Sequence, residues 1–378
     1  MRSEKDVSAR FASAVGSAVL CDPVMIFAVS AAVFTSLFHK PDIGSINFDV
    51  LILLFDLMII TAALSELCVP DVLAVRLIRK CRTKRLLSFV LVFVTFAASM
   101  LITNDVALLA FVPLTLIVGK ETNTDVLHLV ILQTLAANAG SALTPMGNPQ
   151  NLYLYVHYGI GFTELMLIMA PFVLVSSFLI VVLLLRESGT PVRPPRSVPE
   201  LGSRRLIAVY AILFGLTILS VARLIPEETV FVITVLAALV LDPRLFGKVN
   251  YSLLITFAAF FVFVGNISAV PAVQDCLAGI LETPEKTYVV SAAVSQIISN
   301  VPAAILLSGF TPHAEAILSG VNVGGAGTLV ASMASVITYK LYVKKNPGES
   351  FRFLKVFTVY GFPFLLVTGA VVYVFMFF

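Results

Sequence analysis

The stretch that most constrains this chain is residues 134–151, TLAANAGSALTPMGNPQN, which places glycines, prolines and amides in the middle of an apolar run. A lipid-facing helix cannot hold such a sequence. Backbone groups freed by Gly140, Pro145, Gly147 and Pro149 need partners, and at bilayer depth unwound chain persists only when buried in protein or lining a watery cavity. In transporters it marks a binding site. A second break lies at Asn322, Gly324, Gly325, Gly327 and Thr328, inside the apolar run 314–339. Each break follows a short apolar segment with polar residues at its middle: Thr103, Asn104 and Asp105 before the first, Ser299, Asn300 and Pro302 before the second. The repeated order predicts two related halves.

Charged residues make up 12% of the chain and hydrophobic ones 59%, against about 25% charged in soluble domains. This predicts an all-α polytopic membrane protein. The net charge of +3 sits in particular loops and speaks to topology, and there is no basic-aromatic patch for nucleic acid. Cys21, Cys68, Cys81 and Cys276 lack the paired spacing of a thiolate metal site or a disulfide framework. Arg2, Lys5 and Arg10 precede an apolar run without a signal-peptide cleavage pattern, so a retained first helix is expected.

Apolar runs at 24–38 and 47–64 read as spans, the second carrying Asp56. Residues 70–85 mix leucine and valine with Arg76, Arg79, Lys80, Arg82, Lys84 and Arg85, as in a basic amphipathic helix at the cytoplasmic surface. The arms 86–101 and 106–118, and later 288–298 and 303–310, fall short of the roughly 20 residues of a span and predict two re-entrant helical hairpins. Two broken transmembrane helices follow them, each succeeded by a final span, at 163–185 and 353–378. Placing the basic clusters inside the cell leaves nine spans, a cytoplasmic N-terminus and an external C-terminus, with the acid-richer 271–287 outside. The halves are then inverted repeats: residues 1–186 with the N-terminal helix, a cytoplasmic linker 187–205, a linking helix 206–227, and residues 228–378. Residues 47–52 (NFDVLI) match 250–255 (NYSLLI) across them, as in inverted-repeat secondary transporters.

Thr103-Asn104-Asp105, the run from Gly140 to Asn151, and Ser299-Asn300-Val301-Pro302 resemble the signature segments of the ion transporter superfamily. The chain is most similar to its citrate-transporter-like branch, which includes divalent-anion/sodium symporters and arsenite efflux permeases. The resemblance covers nearly the whole chain. It implies a secondary transporter for a small anion, a di- or tricarboxylate or an inorganic oxyanion, in the inner (cytoplasmic) membrane, working as a homodimer with sodium at the hairpin tips. The dicarboxylate members carry Ser-Asn-Thr at both tips; here the asparagines match and the threonines do not. Thr-Asn-Asp is closer to the arsenite-permease and sodium/proton-antiporter branches.

The residues themselves point to the same place, because amides, hydroxyls and unwound carbonyls can replace a cation's water shell while half-helix N-termini favour an anion. The expected substrate-binding residues are Asn104, Ser141, Thr144, Asn148, Asn151, Asn300 and Thr328. The expected ion-binding residues are Thr103, Asn104, Asp105, Asn138, Gly140, Ser299, Asn300, Asn322 and Gly324. The bland alternative is that these groups only satisfy broken backbone and pack helices. Acids at membrane depth are functional candidates: Asp105 reads as a cation or proton site, or a helix cap. Asp56 reads as a proton site or, preferably, a neutral hydrogen-bonded acid. His128 and His157 bound the first break and read as structural. No Gly-x4-Gly-Lys-Ser/Thr, His-Glu-x-x-His or Gly-x-Ser-x-Gly occurs, so no ATP drive, enzyme activity or cofactor beyond a sodium ion is expected. A channel is the rival class, and inverted repeats fit alternating access better.

Overall fold

A computed structural model describes residues 22–41, 43–122, 124–191 and 200–378. The expected cytoplasmic N-terminus with Arg2, Lys5 and Arg10 lies outside them, as does the middle of the linker. Among the described residues the structure is all helical, apart from one isolated bridge between Thr83 and Pro191.

The first half runs α1 (Pro23–Ser36), α2 (Phe48–Glu66), α3 (Val69–Ile78), α4 (Lys84–Ser99), α5 (Asn104–Thr122), α6 (Leu127–Ser141), α7 (Pro149–His157) and α8 (Phe162–Leu185). α9 (Arg204–Val221) links to the second half, α10 (Glu227–Leu241), α11 (Tyr251–Ser268), α12 (Pro271–Ile280), α13 (Pro284–Ile298), α14 (Asn300–Ser308), α15 (Ala314–Gly324), α16 (Met333–Lys345) and α17 (Ser350–Phe377). The eight helices after α9 repeat, in order, the eight described before it. Even the joints repeat: Asn47 and Asn250 cap α2 and α11 by accepting from the backbone amides of Val50 and Leu253 at 3.2 and 3.1 Å.

The halves interlock. α1 lies along α11 of the other half, with Ser252 donating to Asp22 at 2.8 Å at one end and Asn266 donating to Thr35 and Ser36 at 3.1 and 3.0 Å at the other. Its mate α10 packs likewise on α2, where Phe55 meets the ring of Phe231. Helices α2, α8, α9, α11 and α17 are long and apolar enough to cross a membrane. Side chains such as Leu167, Leu174, Phe178, Val359 and Leu366 stand outward on α8 and α17, where acyl chains rather than water suit them. The protein is a multi-pass membrane protein.

Several expected boundaries move. α3 stops at Ile78, and Lys84 and Arg85 belong to the first turn of α4, whose cap is Thr83. The first hairpin turns at residues 100–103, so Asn104 and Asp105 stand at its tip as the first residues of α5, as Asn300 does for α14. α5 has 19 residues, about 28 Å at helical rise, whereas its mate α14 has 9. The apolar run 106–118 understated α5 because its last turn is polar.

Candidate functional site

Both hairpins turn through a residue with left-handed backbone, Thr103 at φ 67° and Ser299 at φ 77°, a conformation uncommon for side chains other than glycine and found where surrounding structure imposes it. Asn104 and Asn300 follow at the first positions of α5 and α14. A single constant offset carries the first break, residues 138–151, onto the second, residues 322–335, and pairs Asn138 with Asn322, Gly140 with Gly324, and Thr144 with Thr328.

Those pairs do the same local work. Thr144 Oγ1 donates to the Met100 carbonyl at 2.5 Å, and Thr328 Oγ1 to the mate carbonyl of Gln296 at 2.9 Å, each pinning its break to the turn of its hairpin. Gly140 and Gly324 let the hairpin arms close in. A Cβ on Gly140 would stand 2.2 Å from the Phe96 carbonyl, and one on Gly324 would stand 2.9 Å from that of Ala292.

Between the breaks the asparagines form one buried lattice. Asn104 Nδ2 donates to Asn138 Oδ1 at 3.2 Å, Ser332 Oγ donates to the same oxygen at 3.1 Å, and Asn138 Nδ2 donates to the Gly325 carbonyl at 3.2 Å. On the other side, Asn148 Nδ2 donates to Asn322 Oδ1 at 3.2 Å and to Ser141 Oγ at 3.2 Å. Asn322 Nδ2 donates to Asn151 Oδ1 at 2.7 Å, and Asn151 Nδ2 to the freed carbonyls of Ala142 and Thr144 at 2.8 and 3.2 Å. Each break thus satisfies the other, as buried polar backbone requires.

The two tips differ in what remains. Asn104 is tied to Asn138, but among the described residues the Asn300 amide nitrogen has no hydrogen-bond partner, because its counterpart Asn322 is committed to Asn148 and Asn151. Beside it lies Gly325, whose Cβ would stand 3.0 Å from that nitrogen. Ser299 makes only long contacts, 3.5 Å to Asn300 Oδ1 and 3.5 Å to the Ala331 carbonyl. Tip two offers a donor; tip one, through the Asp105 carboxylate, offers acceptors.

Thr103 and Asp105 line a cleft of about 370 Å³ between hairpin one and α2, together with Thr61, Glu66, Asp71, Pro149, Lys248 and Asn250. Its charged wall is three acids and Lys248, the last paired with Glu66 at 2.8 Å. A second cleft of about 470 Å³ opens at the opposite end of α2, lined by Asn47, Asp49, Tyr153, His157, Phe261, Gly265 and Ile305. Glu66 at the end of α2 and Asn250 at the start of α11 share the first cleft, while Asn47 and Gly265 share the second, so these mate helices run antiparallel. The clefts are pseudo-symmetric counterparts. Only the first reaches a hairpin tip; the second stops at Ile305 and Gly309, short of Ser299 and Asn300.

Thus Asn104, Asn138, Ser141, Asn148, Asn151, Asn300 and Asn322 come together, Thr103 and Asp105 face the cleft beside them, and Thr144, Thr328, Gly140 and Gly324 fasten hairpins to breaks. Asp56 is apart. It is fully buried, on the face of α2 opposite the cleft, and neither oxygen has a hydrogen-bond partner among the described residues, contrary to the hydrogen-bonded acid expected there. His128 pairs with Glu187, and His157 stacks on Tyr153 at 5.2 Å in the second cleft. Sequence reasoning missed Ser332 and Gln296. Gln296 Nε2 donates to the Gly324 carbonyl at 2.6 Å and its Oε1 accepts from the Thr328 amide at 3.0 Å. Superposing the two breaks on Asn138 and Asn322 would have brought Ser332 onto Asn148.

The sequence profile of the citrate transporter family (CitMHS) matches residues 13–316. Among curated proteins, the "inner membrane protein YbiR" of Escherichia coli K12 is 32% identical over 343 residues, 88% of each chain. The "uncharacterized transporter MJ0456" of Methanocaldococcus jannaschii is 33% identical over 292 residues, 76% of this chain and 79% of that one. Among solved structures, the YdaH transporter of Alcanivorax borkumensis superposes with a TM-score of 0.55 at 15% identity, over 90% of this chain and 88% of that one, which is a likeness of fold. Matched along most of its length by the profile and at about a third identity by membrane and transporter proteins, the chain is a membrane transporter and belongs to the citrate transporter family.

Proposed function

We propose that the protein is a secondary active transporter that moves a small anion, a di- or tricarboxylate or an inorganic oxyanion, across the cytoplasmic membrane by alternating access, coupled to sodium ions or protons. The observation that carries this reading is the convergence of two pseudo-symmetric tips and two breaks on one buried amide lattice, reached among the described residues by a cleft from one end. A pore would be open to both ends at once.

The chemistry divides between the tips. Asp105 and the Thr103 hydroxyl would hold the coupling cation on the cleft side, and the Asn300 amide, at the N-terminus of α14, would donate to the anion with that helix's dipole behind it. Neither hairpin brings an arginine or lysine to this place, so the cation supplies the positive charge beside the anion. The hairpins and breaks would move as a re-entrant core against α2 and α11, closing one cleft while opening its counterpart. Homodimer formation through the outer helices accompanies this reading.

Sodium/proton exchange is the second reading, favoured by the acid-rich wall of the cleft. Thermal stabilisation of the purified protein by citrate, succinate, sulfate, phosphate, arsenite, sodium and lithium tests both, since a ligand of the folded state raises the melting temperature. Stabilisation by an anion that requires sodium or low pH supports coupled anion transport. Stabilisation by sodium or lithium alone replaces it with the exchanger, and by arsenite alone with metalloid efflux.

A further inference from the structure

α3 and α12 occupy mate positions, each joining a long helix of one half to the hairpin that follows it. The fold asks the same of both. Their surfaces nevertheless differ: α12 contains no lysine or arginine and exposes Gln274 and Asp275, whereas α3 and the turn after it expose Arg76, Arg79, Lys80 and Arg82. None of these four cations takes part in an ion pair among the described residues, although Lys84 and Lys248 nearby do. Leu73 and Leu77, 56% and 36% exposed, share the outer face of α3 with Arg76 by helical spacing, and Lys80 follows in the turn.

A face that alternates leucine with unpaired cations suits one surrounding, the boundary between acyl chains and headgroups. There the leucines enter the hydrocarbon edge while the long cationic side chains reach phosphates. Since the mate helix, on the opposite side of the inverted repeat, does without the cations, the backbone plan does not require them. We infer that the outer face of α3 binds anionic phospholipid headgroups. α3 packs on α2 and on both arms of hairpin one, so a lipid held there braces that hairpin against the long helix that forms the other wall of the cleft.

The test is made on the purified full chain in neutral detergent, titrated with phosphatidylglycerol or phosphatidylcholine, with melting temperature and lipid retention in native mass spectra as readouts. Phosphatidylglycerol is expected to stabilise and to be retained, and phosphatidylcholine to do neither. Each cation removed is expected to weaken retention roughly five-fold, the worth of a basic residue near an anionic surface. The variant R76Q/R79Q/K80Q/R82Q therefore loses the effect. The milder R76Q/K80Q, which keeps the other two cations, shows a partial loss and serves if the first does not fold. Equal response to the two lipids, undiminished retention in R76Q/K80Q, or full replacement of the lipid by inorganic phosphate would each overturn the inference.

Discussion

The two halves share a backbone plan but not a chemistry. Both hairpins turn through a strained left-handed residue, both breaks are pinned by a threonine to the hairpin turn, and both close through a glycine. On that common frame, tip one carries a carboxylate in a cleft and an asparagine bonded to Asn138, while tip two carries valine and an asparagine whose amide nitrogen makes no hydrogen bond among the described residues. The repeat supplies geometry, two half-helix ends meeting at a buried point, and divergence within it leaves acceptors at one tip and a donor at the other, the basis of the proposed division between cation and anion.

The largest expected effect comes from removing what the halves share. Asn322→Ala strips partners from Asn148 and Asn151, and each buried polar group left unpaired costs about 1–3 kcal/mol. A fall in melting temperature together with loss of transport is expected; an unperturbed melting curve would show that the lattice does not hold the breaks together.

Next come substitutions at the tips, where the halves differ. Asp105→Asn is expected to lower flux more than about ten-fold and to remove its dependence on sodium or pH, since a mobile cation loses its charged partner. Val301→Ala, at the mate position, is expected to stay within about two-fold of the parent. Equal effects at both positions, read in proteoliposome uptake, would erase the proposed division between the tips.

A smaller effect belongs to a device at the junction between the first half and the linker. Glu187, just beyond α8, meets Lys84 at 3.1 Å and His128, and Arg85 Nε donates to its carbonyl at 2.8 Å. Burial alone would raise this carboxyl, but His128 and Lys84 outweigh it and hold it below the usual glutamate range. A depressed folded-state value means stability that is present at neutral pH and lost as acidification passes through that value. Glu187→Gln is expected to cost about 1–2 kcal/mol near pH 7, with the gap to the parent closing as the pH falls through and below the usual glutamate range. A gap independent of pH would assign the loss to packing.

The smallest effects sharpen the symmetry itself. Thr144→Val and Thr328→Val each remove one mate hydrogen bond, and both are expected to destabilise by about 1 kcal/mol. Chemical denaturation that separates them by much more would show that one half carries the fold.

Much of this was legible in the sequence because glycine, proline and asparagine have few reasons to interrupt an apolar run. Residues 140–151 and 322–328 therefore announced the breaks, and Asn104 and Asn300 the tips. What stayed hidden depends on register and partners. Ser332 and Gln296 are single polar residues, and only the second break folded beside the first gives them meaning. Thr144 and Thr328 read as ligands, yet their hydroxyls are committed to hairpin carbonyls. The unequal arms, α5 against α14, were obscured because polar residues at the end of α5 resemble a loop. That Asp105 faces a cleft while Asp56 faces packed helices follows from helical phase against neighbours that the sequence does not order.

A carrier in which the two tips form one solute site needs both of their asparagines. The most direct measurement is counterflow in proteoliposomes with the anion that stabilises the purified protein, comparing the parent with Asn104→Ala and Asn300→Ala. Saturable exchange is expected in the parent and its loss in both variants, each retained as folded, inserted protein. Normal exchange in both variants, or non-saturating flux in the parent, would contradict the shared site.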